Sequence, residues 1–166
     1  LNAQGTPGQR VLLTSDTSWG GIKIVNASTN SVINYVVIEN VAGTALDVTL
    51  GTLRLSNSVV RQSTQGLWIK SNAVNMFGNE IYSNDTGIIT GERNSVNLRL
   101  STVRDNKIGV SIVGPEGRLT LTSNNIRNNE EFNIVIVGVG SRNVDASENW
   151  WGTTDKAAIE KTIFHS

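Results

Sequence analysis

The chain has 166 residues, of which 38% are apolar and only 5% aromatic, enough for one sizeable core that must be aliphatic. Fourteen basic and 14 acidic residues cancel, and no basic stripe appears, which argues against a nucleic-acid partner. Cysteine is absent and the single histidine is His165, which excludes disulfides, thiol chemistry, zinc sites and Ser-His-Asp triads, while no run of about 18 apolar residues is present to span a membrane.

In chain order, residues 1–10 read as a loop-like Gly/Pro/Gln stretch leading into a strand at Val11–Thr14, with no charged or apolar leader and no capping helix. Trp19-Gly20-Gly21-Ile22 marks a turn and the strand after it. From there six stretches superimpose, the first five at a spacing of 21 to 23 residues and the last 25 residues further on. One apolar column runs Ile33, Leu55, Met76, Leu98, Leu121, Ala146, and a second, five residues later, runs Ile38, Val60, Ile81, Val103, Ile126, Trp151. A third follows a small residue: Gly21-Ile22, Ala45-Leu46, Gly66-Leu67, Gly87-Ile88, Gly109-Val110 and Asn133-Ile134. Repeats of this length with period-2 alternation are those of a solenoid, in which only stacking of coils buries the apolar columns. The expected coils are 10–30, 31–51, 52–73, 74–95, 96–117, 118–141 and 142–152, forming a single domain cut from a longer protein. A short helix is expected over 154–164, capped by Thr153 or Thr154 with Asp155 in its first turn.

About twenty asparagines and 16 glycines against two prolines describe a chain of many turns. Ser58, Asn79, Ser101, Asn124 and Asn149 fall three residues after the first apolar column and predict an internal hydrogen-bonded ladder, with asparagine tolerating left-handed backbone at the corner. Asn84, Asn106 and Asn129 predict a second polar line at the next turn. Two glycosylation sequons occur, Asn26-Ala27-Ser28 and Asn84-Asp85-Thr86, and chance accounts for both in a chain so rich in these residues.

The opening Val11-Leu12-Leu13-Thr14-Ser15, the Trp19-Gly20-Gly21-Ile22 turn, the repeat itself and the ending Glu148-Asn149-Trp150-Trp151-Gly152-Thr153-Thr154-Asp155 resemble the right-handed parallel β-helix proteins of the pectin-lyase-like superfamily. The resemblance covers nearly the whole chain and implies an all-β, right-handed, single-stranded parallel β-helix of about seven coils with a short C-terminal helix. It is specific for fold rather than activity, and similar endings close β-helix domains of large secreted or surface-anchored bacterial and archaeal proteins.

A polysaccharide lyase on this scaffold needs carboxylates holding Ca²⁺ beside a basic residue, and a hydrolase needs two or three carboxylates from neighbouring coils. The outward column Glu39, Arg61, Tyr82, Arg104, Arg127 and its neighbour Asn40, Gln62, Ser83, Asp105, Asn128 stack no acid on an acid. Asp105, flanked by Arg104 and Lys107, is the best catalytic candidate, and a solvated face is the better reading of that cluster. On the strand after the glycine the outward column reads Lys23, Asp47, Trp68, Ile89, Ser111, Val135. Trp68 with Ile89 and Val135 suits a stacking platform for a sugar ring, a patch covered by a neighbouring domain, or a surface under a long loop. No residue set suggests a resident cofactor or metal, and Ca²⁺ enters only under the lyase reading. The expectation is therefore an extracellular or cell-surface module without catalysis: a spacer, an adhesive or carbohydrate-contacting domain, or a fibre subunit associating end to end. Its partners would be polysaccharide or neighbouring subunits. The alternative is a polysaccharide lyase or glycoside hydrolase.

Overall fold

Three short runs of alternating apolar and polar residues per repeat become three strands, because each inward column finds its partner only in the coil above and below. The computed structural model describes residues 1–26, 29–71, 73–91, 94–114, 117–138 and 143–166. Its first coil holds β1 (Asn2–Gln4), β2 (Val11–Leu13) and β3 (Ile22–Val25). The second holds β4 (Ser31–Asn34) and β5 (Val36–Thr49), and the third β6 (Thr52–Ser56) and β7 (Val59–Lys70), where β5 and β7 run unbroken around a corner. Three strands then build each of the next two coils: β8 (Ala73–Phe77), β9 (Glu80–Tyr82) and β10 (Thr86–Thr90), then β11 (Asn94–Arg99), β12 (Thr102–Arg104) and β13 (Ile108–Val113). The sixth holds β14 (Gly117–Thr122), β15 (Asn125–Arg127) and β16 (Phe132–Val137), and the last β17 (Asn143–Asp145), α1 (Lys156–Glu160) and β18 (Ile163–His165). Every strand pairing is parallel, giving an all-β parallel solenoid of six to seven turns with one short helix among the described residues.

Three faces result. The first is the sheet β1-β4-β6-β8-β11-β14-β17. The second stacks β2, β5, β7, β9, β12 and β15 on the Ile38, Val60, Ile81, Val103 and Ile126 column, and a bridge from Asn125 to Trp150 extends it. The third stacks β3, β5, β7, β10, β13, β16 and β18 on the Leu46, Leu67, Ile88, Val110, Ile134 and Ile163 column. The two columns and Ile33, Leu55, Met76, Leu98 and Leu121 form one aliphatic cluster, against which Trp19 and Trp151 pack partly buried.

The predicted ladders are present at both sharp corners. At the first, Asn79 Oδ1 accepts from the Ser58 N–H (3.0 Å), Asn124 Oδ1 from Ser101 (3.0 Å) and Asn149 Oδ1 from Asn124 (2.8 Å), while Asn79 and Asn124 donate to the carbonyls of Leu55 and Leu98. At the second, Asn106 Oδ1 accepts from the Asn84 N–H (3.1 Å) and Asn129 Oδ1 from Asn106 (3.1 Å), with Asn84 and Asn106 donating to Val60 and Ile81. The left-handed backbone, expected on the ladder asparagines, falls one residue earlier. It is carried by Tyr35, Asn57, Gly78, Leu100, Ser123 and Glu148 at the first corner and by Asn40, Gln62, Ser83, Asp105 and Asn128 at the second. Turning the chain with the preceding residue leaves the ladder residue itself pointing inward with its N–H free for the next coil.

The glycine column has a separate cause. A Cβ at Gly87 would lie 2.6 Å from the Gly109 carbonyl oxygen and one at Gly109 2.6 Å from that of Asn133, so the backbones approach too closely for a side chain. Where the column holds Ala45, the β5–β7 register shifts between Val41 and Thr44.

Both ends differ from expectation. Residues 2–4, read as loop, form β1, because Ala3 stands in register with Ile33 and can extend its column. The helix is only Lys156–Glu160, with Asp155 as N-cap accepting from the Ala157 N–H, and Ile163 leaves it to continue the third-face column in β18. Asn84 of the second sequon is buried in the ladder and closed to modification in the folded chain; Ala27 and Ser28 of the first lie outside the described residues, as do the coil boundary at 141 and 142.

Two substitutions test this account. Asn106→Ala strips a buried amide that serves two coils and should cost about 2–4 kcal/mol in chemical denaturation. Thr90 occupies the inward Ile69, Thr90, Ile112 column and its hydroxyl has no hydrogen-bond partner among the described residues, so Thr90→Val should raise stability by about 1 kcal/mol. A loss with Thr90→Val would show that the hydroxyl is satisfied.

Candidate ligand-binding faces

The second face is an ion-paired lattice. Arg61 bridges Glu39 (2.6 Å) below and donates to the Tyr82 hydroxyl (2.7 Å) above; Arg104 lies over the Tyr82 ring (4.3 Å), bonds Asp105 and reaches Glu80 (3.5 Å). These bonds, Asp105 foremost for Arg104 and Glu39 foremost for Arg61, hold both guanidinium pKa values above their ordinary range. Lys107 turns away to Glu131 (3.4 Å). The structure thus brings Asp105 and Arg104 together as a salt bridge and leaves Lys107 in another. Asp105 itself is an exposed left-handed corner residue beside a shallow depression of about 360 Å³ that also touches Asp85 and Glu130. A carboxylate engaged by a neighbouring guanidinium is poorly suited to act as base or nucleophile.

The third face carries the predicted platform in part. Trp68 and Ile89 are in register on adjacent strands and, with Lys70, Gly91 and Val113, line a depression of about 370 Å³. Lys70 Nζ lies 3.6 Å over the Trp68 ring, so one indole face is covered by a cation and the rest of the ring borders the depression. Val135 is not part of it. Ser111 separates it from Ile89, and it is only 9% exposed because β18 sets Phe164, itself against Phe132 (5.6 Å), beside it.

The first face holds a feature that the outward-column reading did not reach. A trough of about 690 Å³ runs along it over coils two to five, lined by Val32, Arg54, Asn75, Phe77, Asn97 and Arg99 among others. Its signal was in the sequence: the residue before each member of the first apolar column reads Val32, Arg54, Asn75, Asn97, Thr120, Asp145. Asp145 stands at the far end, its pKa lowered chiefly by the Ser147 hydroxyl and backbone N–H.

Fold, ladders and columns define a parallel β-helix repeat protein of the pectin-lyase-like type. Residues 8–164 match the model of the NosD family, described as periplasmic copper-binding protein, and the chain belongs to that family. No curated protein and no solved structure gives a match. The family description is of a periplasmic protein and supports an extracellular or periplasmic location, and no helix among the described residues is long and apolar enough to cross a membrane.

Copper in proteins is held by thiolate, thioether and imidazole donors. This chain has no cysteine, one methionine and one histidine. Met76 is buried in the first-face core, and His165 is exposed on the third face three coils away, about 14 Å along the axis by ordinary strand spacing. Among the described residues no three His, Cys, Asp or Glu side chains cluster to hold a metal. The donor set does not fit copper. Titration of the chain with Cu(I) against a chelator of micromolar affinity should leave the metal on the chelator, and stoichiometric transfer that His165→Ala abolishes would overturn this.

Proposed function

We propose that the chain is an exported, non-catalytic β-helix module, at the cell surface or in the periplasm, that contacts carbohydrate through the Trp68 depression. The observation that carries this reading is the half-buried indole, braced by Lys70 on one face, beside an apolar hollow floored by Ile89 and Val113. An aromatic ring fixed on a sheet offers a flat apolar surface to the C–H face of a sugar with little ordering cost. The continuous ladders make the sheet a rigid support for such a contact. Against the lyase or hydrolase alternative stand the ion pairs of the second face and the corner after it, where Glu39, Glu80, Asp105 and Glu131 each lie within 4 Å of a cation.

Neutral oligosaccharides from a glycan panel should bind, and Trp68→Ala should weaken the best of them by roughly tenfold or more with the circular dichroism unchanged. Unchanged affinity removes the platform. In the same panel no new reducing ends or unsaturated sugars should appear, with or without Ca²⁺; turnover that survives purification would favour the enzyme.

A further inference from the structure

We propose that the first-face trough is a second binding site, for an extended anionic polysaccharide lying along the solenoid axis. Three observations place it there. The trough is axial: its floor is the column of Val32, Arg54, Asn75 and Asn97, one residue per coil, and Phe77 and Arg99 of the neighbouring column form one wall. Its charge is uncompensated, since the exposed guanidinium groups of Arg54 and Arg99 have no ion pair or hydrogen bond among the described residues, whereas Arg61, Arg104 and Lys107 elsewhere on the surface are all paired. None of the described residues lining it is acidic. Finally, the wall between the cations is apolar, with Phe77, 50% exposed, directly in register with Arg99 and one coil nearer Arg54.

The spacing selects the ligand. Arg54 and Arg99 stand two coils apart, about 10 Å along the axis. That is near the span of a disaccharide, so carboxylates on alternate sugars of one chain meet both guanidinium groups in the bidentate manner arginine favours. Between them the exposed Asn75 amide offers donors and an acceptor to ring hydroxyls, and Phe77 offers an apolar face to the intervening sugar. A nucleic acid is the less suitable occupant. Its phosphates recur at every nucleotide and its bases ask for a row of aromatic platforms, while the trough has one. The site lies on a different face from Trp68 and does not rest on the reading given for it.

The test uses hyaluronan oligosaccharides, whose carboxylates fall on alternate sugars, with the carboxyl-reduced polymer and polyuridylate as controls, read by calorimetry at low and physiological salt. Wild-type chain should bind hyaluronan with an affinity that falls as salt rises, and bind the carboxyl-reduced form and polyuridylate more weakly. The double variant Arg54→Gln, Arg99→Gln should lose roughly tenfold in affinity and most of the salt dependence. Both side chains are exposed and unpaired, so its thermal midpoint should match the wild type, and Arg127→Gln on the second face should bind as wild type. Absence of hyaluronan binding, equal binding of the carboxyl-reduced polymer, unchanged affinity in the double variant, or tighter binding of polyuridylate would each overturn the proposal. Trp68→Ala, which tests the other face, should leave this binding unchanged.

Discussion

The fold depends on one requirement: each coil must present its backbone N–H and C=O groups to the next at a single inter-strand spacing while turning sharply twice. A turn made only of backbone would leave amide groups facing an aliphatic interior, at a cost comparable to several lost hydrogen bonds per coil. The chain resolves this with the same two-residue device at both corners. A left-handed residue reverses direction, and the residue after it sends an amide or hydroxyl inward to accept the N–H of the coil before and donate to a carbonyl. Serine substitutes for asparagine at 58 and 101, where its hydroxyl bonds the carbonyl of Ser56 or Arg99 and still accepts an N–H from the neighbouring coil.

The device explains what could be read from the sequence. The aliphatic columns, the small-residue column and the two polar lines were legible because stacking forces the same residue type to recur at the same place in every coil. The left-handed positions were not, since Tyr35, Gln62 and Leu100 occupy them as readily as Asn40 or Gly78. Their conformation is imposed by the ladder residue that follows and not by their own preference, which makes them invisible to a reading by residue type. The ends are not legible for a related reason. Residues 2–4 and 163–165 become strands only because a neighbouring coil provides the partner, whereas their local sequence reads as loop and helix.

The three faces then differ in what they leave unsatisfied. On the second, Glu39, Arg61, Tyr82 and Arg104 pair or stack one on the next from coil to coil, and little of them remains for a ligand. On the third, the outward column passes from Lys23 and Asp47 to Trp68 and Ile89 and, after Ser111, to Val135, which lies beside Phe164, while Trp68 stays partly open. The first keeps Arg54 and Arg99 without ion pairs among the described residues. Asp105 looked chemical in the sequence because a carboxylate between two cations resembles a tuned acid, yet the same proximity, realised as contact with Arg104, neutralises it. Arg54 and Arg99 drew no attention because neither has a charged neighbour in sequence, and their isolation is the property that leaves them available.

The family description and the side chains also bear on each other. Membership of the NosD family rests on the repeat, which spans residues 8–164 and consists of the columns and ladders that any parallel β-helix of this type needs. Metal binding rests on donor atoms that the repeat does not require. A solenoid can therefore conserve every interaction that builds it while the donors on its surface differ completely, and with one buried thioether and one terminal imidazole this chain shows the scaffold without the ligand set. Copper handling by any assembly containing such a chain would need donors from outside these 166 residues.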